Sequence, residues 1–436
     1  MSDPHAALRA FVAGLATERL DWRQKGFGML DGRLAPRDLA GAGVRLSDLG
    51  TPLLTIDATA VRHNVAAMAA WCTERGVGLA PHGKTTMAPL LWLAQLDAGA
   101  TAITVANAAQ LRAAHAFGVR SAVLANQLVG TAELRWLAAV RDAEPDFEVL
   151  HWVDSVAAVE RIDAALADAP PRRPLSVCVE LGATGGRTGA RTAEQADAVA
   201  ARVVASPVCV LAGVSGYEGA VSGSGVSPAG LAVVEAFLQR LADAYTVLAD
   251  RFETPVVTLT AGGSAHFDAV ADVLGPLAGE RNGHRVRVVV RSGAYVVHDD
   301  VHYAVVTPSV RGGGPELRPA IHVWAQVLSR PEPGLVVLDA GKRDLPYDLG
   351  LPVPLTAVRR GRPAEPVTVG PATVTRLNDQ HAYLRVEPTS GVAVGDVVRL
   401  GLAHPCTAFD KWRTIAVVDT ATDLDPAVVD AVHTFF

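Results

Sequence analysis

Three short segments of the chain carry residue types that could do chemistry. The first is His82-Gly83-Lys84, which follows an apolar run at 77–81 and precedes Thr85 and Thr86, with no carboxylate neighbour in sequence. An amine in such a place is poorly hydrated, and desolvation lowers a lysine pKa toward the range in which it attacks carbonyl groups. The plainer alternative is a solvated lysine at a strand end. The second segment is His404-Pro405-Cys406. In extended backbone, residues two apart point to one side. An imidazole and a thiolate together suit Zn2+, or another borderline-soft ion, better than Mg2+. A buried cysteine beside a satisfied histidine would be spelled the same way. The third is a pair of glycine turns, Gly262-Gly263-Ser264 and Arg291-Ser292-Gly293. Glycine lets backbone N–H groups approach an oxyanion closely, and a helix start beyond the turn adds a favourable dipole.

The elements that must position these groups alternate regularly. Apolar runs at 77–81, 102–106, 122–125, 148–153, 175–180, 208–214, 256–259 and 286–290 are separated by amphipathic stretches such as 88–97, 132–141, 156–167, 193–204 and 231–249. Near-continuous apolar strands between helices imply a parallel sheet covered on both faces. Eight such units predict a (β/α)8 barrel, with a doubly wound open sheet as the alternative. In a barrel, catalysis sits at the carboxyl ends of the strands. His82 and Lys84, Asn107, Asn126, Asp154, Arg187, Tyr217, Ser264 and Arg291 all fall there. The two glycine turns then follow strands seven and eight, where barrels commonly hold phosphate. After about residue 300 the rhythm changes to runs at 302–307, 320–329, 334–339, 372–377, 382–387 and 396–400 without helices between them, which predicts a C-terminal all-β domain. The division expected is 1–50 as a helical and extended segment packing on the β-domain, 51–300 as the barrel, and 301–436 as the β-domain.

Composition narrows the function classes. Of 436 residues, 50% are apolar and 19% charged, which fits a large folded enzyme and excludes a disordered chain. The net charge of −6 gives no reason to expect nucleic acid or anionic lipid as a partner. No apolar run has the length of a bilayer span. The first residues lack a basic leader, and the four cysteines (Cys72, Cys178, Cys209 and Cys406) form no CxxC pair, so a cytoplasmic location without disulfides is expected.

The segment from Pro81 to Met87 resembles the pyridoxal-lysine segment of the fold-type III family that contains D-serine dehydratase, D-threonine aldolase and D-threo-3-hydroxyaspartate dehydratase. Thr51-Pro52 to Asp57, Gly216-Tyr217-Glu218-Gly219, the stretch from Arg291 to Val296, that from Val337 to Lys342, Asn378 to His381, and His404-Pro405-Cys406 resemble further family landmarks, in order along the chain. The nearest branch is that of bacterial amino-acid and D-serine deaminases. The chain departs from the family at Leu181 to Thr184, where many members have an Asp-containing turn, and at Ser292, which replaces a proline.

The resemblance implies an alanine racemase N-terminal-like barrel with pyridoxal 5′-phosphate on Lys84, which would also take the Cα proton. It implies phosphate contacts from Gly263, Ser264, Ser292, Gly293 and Tyr295, Arg187 toward the pyridine nitrogen, and Tyr217 flanking the ring. It further implies a metal on His404 and Cys406, Zn2+ before Mn2+, with Asp379, His381 or Asp410 as candidates for support. The activity implied is deaminating dehydration of D-serine or a related β-hydroxy D-amino acid. Aldol cleavage of D-threonine is the runner-up; aldolases of the family tend to carry a carboxylate at the position of Cys406. A non-catalytic pyridoxal-phosphate-binding protein and an amino-acid racemase are further alternatives. A homodimer is implied as well.

Overall fold

The structure, a computed structural model, describes residues 3–222, 225–361 and 364–436. Eight parallel strands form the first sheet: Gly78–Leu79, Ile103–Val105, Ser121–Gln127, Glu148–Val153, Leu175–Leu181, Cys209–Gly216, Val256–Ala261 and His284–Val290. The last strand pairs with the first (Val290 opposite Leu79), and the first and second are joined where His82 bridges Thr104, so the sheet closes. Within the strands, side chains alternate. Trp152, Cys178, Val123 and Val289 fill the barrel interior, while Val153, Val177 and Val179 face the helices in the larger core. Helices Pro89–Asp97, Ala108–Phe117, Thr131–Ala143, Val156–Leu166, Ala193–Val204 and Pro228–Val247 cover that outer face. Several start on side-chain caps: Asn107 accepts from the Gln110 N–H, Ser155 from Ala158 and Thr192 from Gln195. Asn107 is thus a helix cap at its strand end.

The second sheet has ten strands, built around Ile321–Glu332 and Val397–Gly401. Its least anticipated member is Leu53–Asp57, a strand that the sequence reading places with the barrel. It pairs antiparallel to Ile321–Glu332 (Leu53 opposite Trp324) and parallel to Thr414–Val418 (Thr55 opposite Ala416). All five of its residues are buried, so both faces need covering, and the middle of this sheet supplies that. From this strand of the β-domain the chain goes on to build the barrel strands and then returns.

The first 50 residues divide between the two layers. Leu8, on helix Ala6–Leu15, joins the barrel's outer core, whereas Leu20, Phe27, Leu39 and Leu46 pack with Trp324, Val358 and Ala416 of the second sheet.

The strand expected at 302–307 is instead a short helix, Tyr303–Val306. Asp299 Oδ1 accepts from the Val301 and Tyr303 N–H groups at 2.9 Å each, which closes a turn, and Pro308 then ends the helix.

Candidate active site

The mouth of the barrel opens into a cavity of about 410 Å³. Lys84, Arg187, Tyr217, Gly263, Ser264, Gly293, His404 and Cys406 all line it. Ser292 and Tyr295 do not. Ser292 is buried and donates to the Gly263 carbonyl at 3.0 Å, tying the eighth loop to the seventh. Tyr295 is 2% exposed within the barrel core, where its hydroxyl meets Gln95.

Lys84 lies on the turn Gly83–Thr85 and projects into the cavity. Desolvation lowers its pKa, Arg187 and Arg291 lower it further, and Cys406 opposes them. Gly83 cannot carry a side chain, because a Cβ there would stand 2.6 Å from the Trp92 ring. His82 also lines the cavity. Its imidazole is held neutral by burial and by the charges of Lys84 and Arg291.

The loop with Arg187 is pinned from several sides. Asp154 accepts from the Gly189 N–H at 3.0 Å, and Arg191 donates to the carbonyls of Thr188 and Arg187. The Arg187 guanidinium lies 4.4 Å over the Tyr217 ring. Beneath them, buried Arg291 donates to Thr260 Oγ1 at 2.6 Å and to the Gly216 carbonyl at 2.7 Å. Glu180 accepts from Gln127 at 2.6 Å, and burial raises its carboxyl pKa against that bond and one from Thr188.

The seventh loop is held by a residue of the sixth, Glu218, to which the sequence reading gave no role. Glu218 is fully buried and accepts from both Gly262 N–H (2.8 Å) and Gly263 N–H (2.6 Å). The Gly263 amide is thereby committed inside the protein. Its missing side chain matters for another reason: a Cβ would lie 2.9 Å from Tyr217 Cε2. At the eighth loop a Cβ on Gly293 would come within 2.4 Å of the His82 carbonyl, so the eighth loop packs directly on the lysine turn. A carbonyl-reactive amine, glycine turns at strands seven and eight and an aromatic wall in one cavity fit pyridoxal phosphate. Ser264 and Gly293 are the members of the two loops' predicted phosphate set, besides Gly263, that line the cavity.

From the β-domain, His404 and Cys406 reach the same cavity. They do so across the start of a short helix, Cys406–Phe409, with Pro405 already helical, and not on extended backbone as expected. Cys406 Sγ lies 3.3 Å from Thr85 Oγ1, next to Lys84 in sequence. One chain therefore supplies both the amine and the thiol–imidazole pair. Burial alone would lower the His404 pKa, but Cys406 and Asp348 beside it raise it to about 9. Asp348 accepts from His404 at 2.6 Å. Asp379 and His381 are exposed and line no part of the cavity; Asp410 stays within electrostatic reach of His404. Among the described residues no three His, Cys, Asp or Glu converge as a closed metal cage. The pair fits an open site of two protein ligands, completed by water or substrate. Tyr303, also missed in the sequence, lines the cavity between Ser264, which it hydrogen-bonds, and Cys406; burial raises its pKa strongly.

The family profile "Alanine racemase, N-terminal domain" matches residues 56–270, and "Putative serine dehydratase domain" matches 320–418. The chain belongs to the fold-type III pyridoxal-phosphate family of D-serine dehydratase and D-threonine aldolase. It is a lyase of that class. It is 27% identical over 382 residues to a D-threonine aldolase of an Arthrobacter species, covering 87% of this chain and 92% of that one. It is 23% identical to a 3-hydroxy-D-aspartate aldolase of Paracoccus denitrificans, covering 71% and 76%. Among solved structures, D-threonine aldolase from Filomicrobium marinum superposes with a TM-score of 0.74 at 24% identity, over 92% of this chain and 98% of that one. D-threo-3-hydroxyaspartate dehydratase from Delftia sp. HT23 gives 0.66 at 21%, over 90% and 99%; a mutant of that dehydratase has been solved in a metal-free form. No helix among the described residues is long and apolar enough to cross a membrane.

Proposed function

We propose that this protein is a pyridoxal-phosphate- and metal-dependent dehydratase of D-serine or a related β-hydroxy D-amino acid, releasing a 2-oxo acid and ammonia. The observation that carries the reading is the meeting of Lys84 with His404 and Cys406 in one cavity, linked through the Thr85–Cys406 contact. Pyridoxal phosphate, when bound, supplies the electron sink that makes a Cα–H bond acidic. Lys84, its pKa lowered by burial, is the base placed to take that proton. His404 and Cys406 would hold a divalent ion, Zn2+ before Mn2+, whose Lewis acidity would make hydroxide a tolerable leaving group. Arg187, above the Tyr217 ring, is a permanent cation and would keep a facing pyridine nitrogen unprotonated. Tyr217 walls the cavity and Glu218 holds the glycine loop behind it.

Aldol cleavage of a β-hydroxy D-amino acid is the second reading, favoured by the aldolases among the relatives. The two differ in product. Purified protein supplied with a panel of D- and L-amino acids, with and without chelator, should release ammonia from D-serine only when metal is present. Aldehyde release from D-threonine instead would favour the aldolase, and no turnover of any of these substrates would sink both readings. A cytoplasmic homodimer belongs to the proposal, and light scattering of the purified protein tests the dimer.

A further inference from the structure

We propose that Asp348 is a positioning residue for the metal, fixing the ring of His404 from behind so that its other nitrogen faces the cavity. This rests on the reading of His404 and Cys406 as the metal pair. The argument starts from the polarity of one contact. Asp348 Oδ2 lies 2.6 Å from His404 Nδ1. A carboxylate can only accept, so Nδ1 carries the hydrogen, and Nε2 is the ring nitrogen left to bind a metal. The second carboxylate oxygen is not idle: Oδ1 accepts from Thr407 Oγ1 at 2.7 Å. With both oxygens held, the carboxylate has one orientation, and so does the ring it meets. Thr407 follows directly after Cys406, so one hydroxyl links the carboxylate to the segment that bears both members of the pair.

Asp348 does not line the cavity, whereas His404 and Cys406 do. It therefore meets the histidine from outside the cavity lining. It arrives from a stretch 56 residues earlier in the chain, so nothing in the local sequence around His404 provides its role. Outer partners of this kind set the tautomer, orientation and basicity of a metal-bound histidine, and losing them commonly weakens metal affinity by roughly 10- to 100-fold.

The test uses the cofactor-loaded protein and Co2+ as probe, read by thiolate-to-cobalt absorption and by competition with a chromophoric chelator. Asp348→Ala should weaken Co2+ and Zn2+ binding by roughly 10- to 100-fold. Asp348→Asn keeps an accepting oxygen without the charge and should lose less. Thr407→Val, which frees one carboxylate oxygen, should fall between wild type and Asp348→Ala. Cofactor content and the thermal midpoint of metal-free protein should stay at wild-type values, which a loss of fold would not permit. Should Asp348→Ala fail to fold, Asp348→Asn and Thr407→Val carry the test. Metal binding within twofold of wild type in all folded variants would overturn the inference. Absence of Co2+ binding in wild-type protein would instead overturn the metal reading beneath it.

Discussion

Glu218→Gln is the change whose cost can be worked most directly from the structure. The native carboxylate is 0% exposed and accepts two backbone N–H bonds, at 2.8 Å from Gly262 and 2.6 Å from Gly263. Glutamine has the same shape but only one accepting oxygen. Its NH2 group must face one of the two amides, donor to donor. A hydrogen bond to a charged group is worth about 1.5–3 kcal/mol, and a buried N–H left unpaired costs about 1–3 kcal/mol. Some of these terms overlap, so a net loss of roughly 2–4 kcal/mol is expected. The loop cannot relax easily, since Gly262 has φ +99 and a Cβ there would already lie 3.2 Å from Val290. Denaturant unfolding of cofactor-free protein gives the stability term, and the rate of pyridoxal phosphate release after dilution gives the functional one. Both should worsen, because the pinned amides are those of Gly262 and Gly263, and Ser264 follows directly. A Glu218→Gln variant within about 0.5 kcal/mol of wild type, with unchanged cofactor retention, would refute the reasoning.

Other consequences can be checked in parallel. Borohydride reduction and peptide mapping should place the cofactor label on Lys84, and Lys84→Ala should retain some cofactor through the loops while losing turnover. Gly263→Val should drive a side chain into Tyr217, 2.9 Å away at the Cβ, and weaken cofactor retention with the fold intact. Cys406→Ser should lose metal and ammonia release together, whereas Cys406→Asp should recover metal binding in part with Mn2+ and either ammonia or aldehyde release. Asp299 is raised from 3.8 to about 7 by burial, against the pull of the Val301 and Tyr303 amides. Its contribution to stability is full below about pH 4 and is lost as pH rises through about 7, by at most roughly 1.4 kcal/mol per pH unit. Asp299→Asn should therefore flatten the stability profile across that window, and an unchanged slope would count against it.

What could be read in the sequence was local. A strand, its following turn and the next helix are neighbours in the chain, so alternating apolar runs located all eight barrel strands, and the turns after them placed Lys84, Tyr217 and Ser264 in one mouth. Glu218, Tyr303 and Asp348 escaped because each acts on a distant partner. Glu218 holds amides 44 and 45 residues away, and Asp348 meets a histidine 56 away. Acidic residues beside a tyrosine or a leucine give no local signal of that kind. Leu53–Asp57 illustrates the same limit in the fold. Its run Leu-Leu-Thr-Ile-Asp is equally apolar in either sheet, and only pairing with Trp324 and Ala416 decides between them. The helix at Tyr303–Val306 was hidden by a β-branched run, and the turn made by the Asp299 carboxylate overrode that preference.

The placement of Leu53–Asp57 also sets an order for synthesis on the ribosome. This strand emerges before any of the barrel, yet its neighbours on either side are Ile321–Glu332 and Thr414–Val418. Until about 270 more residues have been made, its backbone edges have no native partner in the nascent chain. The barrel needs none of these pairings and can close first, since all its ladders lie between residues 78 and 290. The nascent chain thus passes through a stage with a finished barrel and an open, apolar strand, the kind of edge that recruits chaperones or other chains. The strand is sealed on its second side only when Thr414–Val418 arrives, immediately after the ribosome has delivered His404 and Cys406.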